Sequence, residues 1–323
     1  MRSFPFGAAL LAALSLTAHA QAPAQPYPTR PVRLIVPTTP GGGPDIIARI
    51  MGQKLGEQLG QTFVADNRSG ASGAIALDIV RASAPDGHTL CMFSASHVIR
   101  PLVYPVQYDM ARDFAPVSQV TAQSYVLVAN AALPVKSVRD LVSHAKANPG
   151  RLNYASVGQG SQIHLMTELF RSLAGIEVTH VPYKGIAAAY PDIMAGSVHF
   201  VFGGVLSALP HVKAGRLRAL AVSGAKRMKA LPDLPTVSEA GVAGFAVSQW
   251  YAILAPARTP RALVDLLNRE INRAVSDPEV ARHIAAEGSD AVSGTSQQLA
   301  GMIQAERAKW TGVIRQAGIK GGK

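Results

Sequence analysis

The chain has 323 residues, 48% of them hydrophobic and 16% charged, with a formal net charge of +11 and a single cysteine. That length points to two domains, and that composition to a packed core rather than a disordered chain. A lone Cys91 excludes an internal disulfide. Without Lys/Arg runs interleaved with aromatics, the positive charge argues against nucleic acid and fits a soluble basic surface with a mild field for small anions.

Met1-Arg2 is a short positive start, Phe4 to Leu16 is apolar, and Ala18-His19-Ala20 is a small-x-small cleavage pattern. This predicts a signal peptide over residues 1–20 and export of the remainder. No later run reaches the ~18 apolar residues of a membrane span, so the exported chain is expected to be soluble. Residues 23–31 are a Pro-rich lead-in.

The first element is the apolar run Val32-Arg33-Leu34-Ile35-Val36, followed by Pro37-Thr38-Thr39-Pro40-Gly41-Gly42-Gly43-Pro44-Asp45. It reads as strand, glycine turn, helix N-terminus. Three glycines let a ligand approach the main chain, and the first turn of a helix has unpaired N–H groups, so the stretch suits an anion. A tight strand-to-helix connection accounts for it equally well. Asp45 is read as a cap on main-chain N–H groups.

Apolar residues at helical spacing continue from Ile46 to Leu59 and stop at Gly60. A short strand at 62–65, a turn-rich loop at 66–73, a helix at 74–82, a turn at 85–87 and a strand at 88–93 follow. Residues 117–130 are β-rich and read as two strands broken at 121–124. A helix over 138–147 precedes the strand 152–156, a Gly/Ser loop at 157–161 and a helix over 163–173. This repeats the opening unit, and two such turns imply two domains facing one another across a cleft. Strands at 177–182, 198–202 and 218–223 alternate with a loop at 183–185 and a helix at 187–195. A strand within 244–256 returns to the first domain, and helices over 260–275, 278–286 and 296–316 close the chain. Strand–helix alternation predicts an α/β fold, with ligands bound beyond the carboxyl ends of the strands.

Signatures of chemistry are sparse. The sequence has no G-x-S-x-G, no G-K-[ST] ending to a glycine loop and no histidine or cysteine set at metal-ligand spacing, so neither a metal nor a cofactor is expected. Ser161 and His164 fall on one helical face, which leaves a secreted Ser/His hydrolase as an alternative. Ser161 as a helix cap, with His164 as a packing or polar-lining residue, is the simpler reading. Lys184 reads equally as a contact for an acidic ligand and as a solvated loop residue.

Six stretches carry a family resemblance in order along the chain. They are Pro37-x-x-Pro40-Gly-Gly-x-x-Asp45, Asn67 to Gly73, Pro85 to Leu90, Asn153 to His164, Val181 to Gly185 and Leu231 to Gly241. The chain resembles the extracytoplasmic solute receptors of the tripartite tricarboxylate transporter family, the Bug-type periplasmic binding proteins. It departs from the pattern at His88, where Tyr is usual, at Ala187 to Ala189, where a Pro is common, and at Gly196-Ser-Val-His199, where Gly-x-Val-Asp is frequent. These departures bear on the ligand rather than the fold.

The resemblance implies a type II periplasmic-binding-protein clamshell, each domain a mostly parallel sheet flanked by helices. Residues 25–124 and 247–323 are expected to form domain I, and 125–246 domain II. It implies a small organic acid as ligand, a membrane permease (or, as an orphan receptor, a membrane sensor) as partner, a periplasmic location, a monomer and no catalysis. One carboxylate is expected between the loops 38–45 and 156–161. The candidate residues there are Thr38, Thr39, Gly41, Gly42, Gly43 and Asp45 from the first loop, and Ser156, Gly158, Gly160, Ser161 and His164 from the second. Ser72, Ser94, Tyr183, Lys184, Phe202 and Gly203 are expected around the rest of the ligand.

Overall fold

The computed structural model describes residues 27–319; the expected leader, 1–20, lies outside the described residues. In chain order the elements are β1 (Val32–Val36), α1 (Gly43–Leu59), β2 (Phe63–Asn67), α2 (Ala74–Arg81), β3 (Thr89–Ser94), α3 (Ala95–Val103), α4 (Met110–Asp113) and β4 (Phe114–Asn130). Then come α5 (Val138–Ala147), β5 (Leu152–Ser156), α6 (Gln162–Ala174), β6 (Val178–Pro182), α7 (Tyr190–Ala195), β7 (Phe200–Gly204), α8 (Val205–Lys213) and β8 (Leu217–Val222). The chain closes with β9 (Ser248–Pro256), α9 (Arg261–Val275), α10 (Pro278–Ala286), β10 (Asp290–Ala291) and α11 (Ser296–Gln316). The molecule is α/β, as its alternating pattern requires.

Two sheets share β4. In the first, β1 pairs in parallel with β2 and β3, and β9 joins β3 and β4 antiparallel. In the second, β5 pairs in parallel with β6 and β7, and β4 joins β7 and β8 antiparallel. Each sheet therefore has a parallel trio with the first strand of its unit in the middle, and antiparallel pairing where the long strands pass. β4 is one strand of 17 residues rather than two. The expected break at 121–124 is absent: Thr121 to Ser124 pair in register with β9, and the register shifts fall before them, at Pro116/Ser118 and Gln119/Thr121. Pairing with β9 runs to Ser124, and pairing with β7 begins at Tyr125.

The parallel strands β1 and β3 are apolar because both faces are covered. Val32, Leu34 and Val36 pack with Ile47, Met51 and Leu55 of α1 and with Leu267 and Ile271 of α9. Ile35, Cys91 and Phe93 pack on the opposite face with Leu77, Val98, Leu299 and Ile303. Cys91 is a fully buried core residue, and burial pushes its thiol pKa up. The second sheet has its own core, in which Phe202 stacks on Phe245 at 5.4 Å and meets Phe170 edge-on at 5.8 Å. α11 serves both halves: Leu299 and Ile303 pack with the first, Trp310 and Val313 with the second.

Candidate binding cleft

β1 and β5 end on matching turns. After β1, the chain passes Thr38 and reaches Gly41 at φ +81°, a left-handed conformation that glycine adopts without strain. The Gly41 N–H donates to Asp45 Oδ2 at 2.9 Å, and Arg49 Nε donates to the same oxygen at 3.0 Å. Asn67 Nδ2 donates to the Thr38 carbonyl at 3.1 Å. Asp45 is thus an internal brace of the loop. Burial pushes its carboxyl pKa up, but Arg49, the Gly41 N–H and Asn67 together hold it below the ordinary value.

After β5, Ser156 Oγ accepts from the Gly158 N–H at 3.0 Å, and His164 Nδ1 accepts from the Gly160 N–H at 3.0 Å. Ser161 Oγ caps α6 by accepting from the His164 N–H at 3.2 Å. The His164 ring stacks on His180 at 4.2 Å, and His180 Nε2 lies 2.6 Å from Ser156 Oγ. Burial first, then His180, lowers the His164 pKa to about 4, so its ring is neutral near pH 7. Gly160, at φ +72°, lies against α3: a Cβ there would stand 2.7 Å from Val103 Cγ1.

The two turns face one cleft of about 760 Å³. Pro37, Thr38 and Pro44 form one wall with the start of α3, and residues 157–163 form the other. Tyr125 and Gln249 line it where β4 and β9 pass between the halves. Thr38 Oγ1, Arg100 Nε and Gln249 Oε1 all line this cleft, are buried and have no hydrogen-bond partner among the described residues. On the second wall, the N–H groups of Gly158, Gly160 and Ser161 are taken up within the loop. Those of Gln159, Gln162 and Ile163 find no acceptor among the described residues, and the last two open the 13-residue α6. This is the positive end of a helix dipole facing a gap.

Of the residues expected from sequence, Thr38, Ser94, Gly158, Gly160 and Ser161 line this cleft. Asp45, Ser156 and His164 stand behind it and shape the loops. Thr39 and Gly41 are exposed beside it, Gly42 caps α1, and Gly43 packs against the Tyr251 hydroxyl. Ser72 lies in the turn Ala71–Gly73, and its side chain lies outside the described residues. Four further expected residues do not line it. Phe202 is a core ring, fully buried among phenylalanines, because β7 turns that face inward. Gly203 is pressed against Tyr190, whose hydroxyl would lie 2.5 Å from a Cβ. Tyr183 donates to Asp192 Oδ2 at 2.6 Å, and with the exposed Lys184 it sits past β6, off the cleft.

Sequence reasoning missed Arg100, Tyr104, Tyr125, Gln162 and Gln249. From sequence no element is assigned to 95–103, where α3 forms and tolerates Pro101 near its end. The available signal was Ser94 followed three positions later by His97. His97 Nδ1 accepts from the Ser94 N–H at 3.0 Å, a reciprocal cap. A Ser161–His164 catalytic pair is not formed: the bond between them uses the His164 main-chain N–H, and the ring Nδ1 is committed to Gly160.

The model of the "Tripartite tricarboxylate transporter family receptor" matches residues 47–319. Protein BugT of Bordetella pertussis is 38% identical over 300 residues, covering 92% of each chain. The solved structure of R. palustris Rpa4515 with adipate is 37% identical, with a TM-score of 0.77 over 92% of this chain and 100% of that one. MatC of Rhodopseudomonas palustris, with bound malate, is 29% identical, with a TM-score of 0.71 over 89% of this chain and 100% of that one.

Proposed function

We propose, from the premise that the chain belongs to the tripartite tricarboxylate transporter receptor family, that it is a periplasmic receptor that captures a small carboxylate between two domains. The domains are residues 25–124 with 247–323, and residues 125–246. The change of β4 from pairing with β9 to pairing with β7 between Ser124 and Tyr125 supports that division.

One observation carries the reading. Two strand-to-helix turns, one from each half, line a single cleft whose wall includes the free N–H groups at the start of α6. A carboxylate placed there gains charge-assisted hydrogen bonds worth ~1.5–3 kcal/mol each. Contacts on both walls form together only when the halves approach, so ligand shifts an open–closed equilibrium toward closed. Relatives of known structure were solved with adipate and malate, which agrees in ligand class. The closed form then presents the solute to a membrane permease of the same transporter family. The protein acts as a monomer and performs no covalent chemistry, which fits the commitment of the His164 ring to the loop.

A thermal-shift screen against a carboxylic-acid library, followed by calorimetry, tests this. At least one small carboxylate is expected to raise the melting temperature and bind with one-to-one stoichiometry. A library that leaves the melting temperature unmoved throughout, or an ester panel hydrolysed in a Ser161-dependent way, rejects it.

A further inference from the structure

We propose that Arg100 makes the cleft select solutes bearing two acidic groups, its guanidinium holding the second while the main-chain N–H groups at the start of α6 hold the first. This rests on the receptor reading above.

Arg100 lies on α3 and lines the same cleft as the start of α6. No Asp or Glu lines the cleft, and Arg100 makes no ion pair among the described residues. Its Nε is buried without an acceptor. An orphaned buried donor on a cation is costly, and a ligand anion removes that cost. The guanidinium is also held in place: its Cζ lies 5.0 Å from the centre of the Tyr104 ring, and the Tyr104 hydroxyl donates to the Gln159 carbonyl at 3.3 Å. That bond ties the Arg100 wall to the loop that feeds α6.

His97, one turn before Arg100, adds no charge. Burial first, then Arg100, lowers its pKa to about 4. The cleft therefore has two positive poles, one a planar side-chain fork and the other a helix end. Thr38 and Gln249 supply neutral polar contacts between them. A solute with acidic groups at both ends satisfies both poles and bridges the walls. A monoacid leaves the fork unpaired.

The test is calorimetry on the exported chain and its Arg100→Gln and Arg100→Lys variants. The probes are butanedioate, pentanedioate and hexanedioate against butanoate, pentanoate and hexanoate. The wild type is expected to bind its best diacid at least about tenfold tighter than the monoacid of the same length. Arg100→Gln is expected to lower diacid affinity by about tenfold or more and monoacid affinity by less than about twofold. Arg100→Lys falls between, because an ammonium restores the charge without the fork. Unliganded melting temperatures matching the wild type exclude a folding defect as the cause. Equal losses for diacid and monoacid, or an unchanged diacid affinity in Arg100→Gln, overturn the assignment while the receptor reading stands. A wild type that binds no carboxylate overturns both.

Discussion

Gly160 shows how narrowly single positions are constrained. Its φ of +72° places it in the left-handed region, and Val103 occupies the space a Cβ would need. Gly160→Ala is expected to cost ~1–2 kcal/mol in backbone strain alone, with the clash against α3 added. Because the residue seats the whole turn, affinity for every carboxylate should fall together. Calorimetry against a ligand panel checks this, and a loss confined to one ligand would contradict it. A second prediction concerns the buried imidazoles. His97 and His164 have folded-state pKa values of about 4, set chiefly by burial, against 6.5 in an open chain. The unfolded state therefore binds more protons between those limits. Their contribution is complete above about pH 6.5 and is lost as pH falls toward about 4, on the order of 3 kcal/mol for each. Asp113, held at about 2 chiefly by its hydrogen bond with Arg112, titrates below that window. Melting temperatures recorded across this range, with histidine ring resonances followed by NMR, are expected to show that decline. A flat profile between pH 6.5 and 4 would refute it.

Among the elements, α1, α6 and α11 do different work. α1 and α6 bring helix N-termini to the cleft, and each loop is braced from behind, by Asp45 in one case and by His164 in the other. These braces were legible in part: Asp45 reads as a cap from its position alone. Whether His164 lines the cleft or supports it was not legible, because that depends on His180, which stacks on it from another strand. α11 was readable in extent, with Gly318 beyond its end, and in the structure Thr295 caps its start. Its role in joining two cores was not, since its apolar stripe does not say which half each turn meets. Glu306, nearly buried, accepts from Trp310 Nε1 at 2.8 Å and pairs with Lys309, which fixes the second half of the helix. Trp310→Ala should destabilise the protein by ~3–5 kcal/mol through the cavity it leaves. Chemical denaturation measures this; a loss under about 1 kcal/mol would mean that the helix merely lies on the surface.

At the scale of the molecule, β4 and β9 run between the two halves, while the cleft lies beyond the carboxyl ends of the parallel trios. On the proposed reading this geometry would couple binding to closure, because a ligand touching both turns would draw the halves together. A carboxylate present at a hundred times its dissociation constant should add ~2.7 kcal/mol to stability. Small-angle scattering is expected to show a smaller radius of gyration with ligand than without. Binding without compaction would argue for a cleft that is already shut.

From the order of residues alone came the α/β class, the repeated strand–glycine turn–helix unit and the family. Each depends on short-range pattern: β-branched runs, glycine where φ is positive, and apolar spacing in helices. The direction of side chains at the cleft belonged to the tertiary structure. Phe202 reads as a candidate contact until strand register turns it into a stack with Phe245. Arg100 goes unmarked in the sequence, and only its surroundings show a buried donor with no carboxylate to meet it. Many glycine N–H groups that sequence offers to an anion are consumed by Asp45, Ser156 and His164, and those of Gln159, Gln162 and Ile163 are left instead. Local sequence determines which turns form, but which polar atoms stay unpaired depends on partners distant in the chain, and packing alone assigns those.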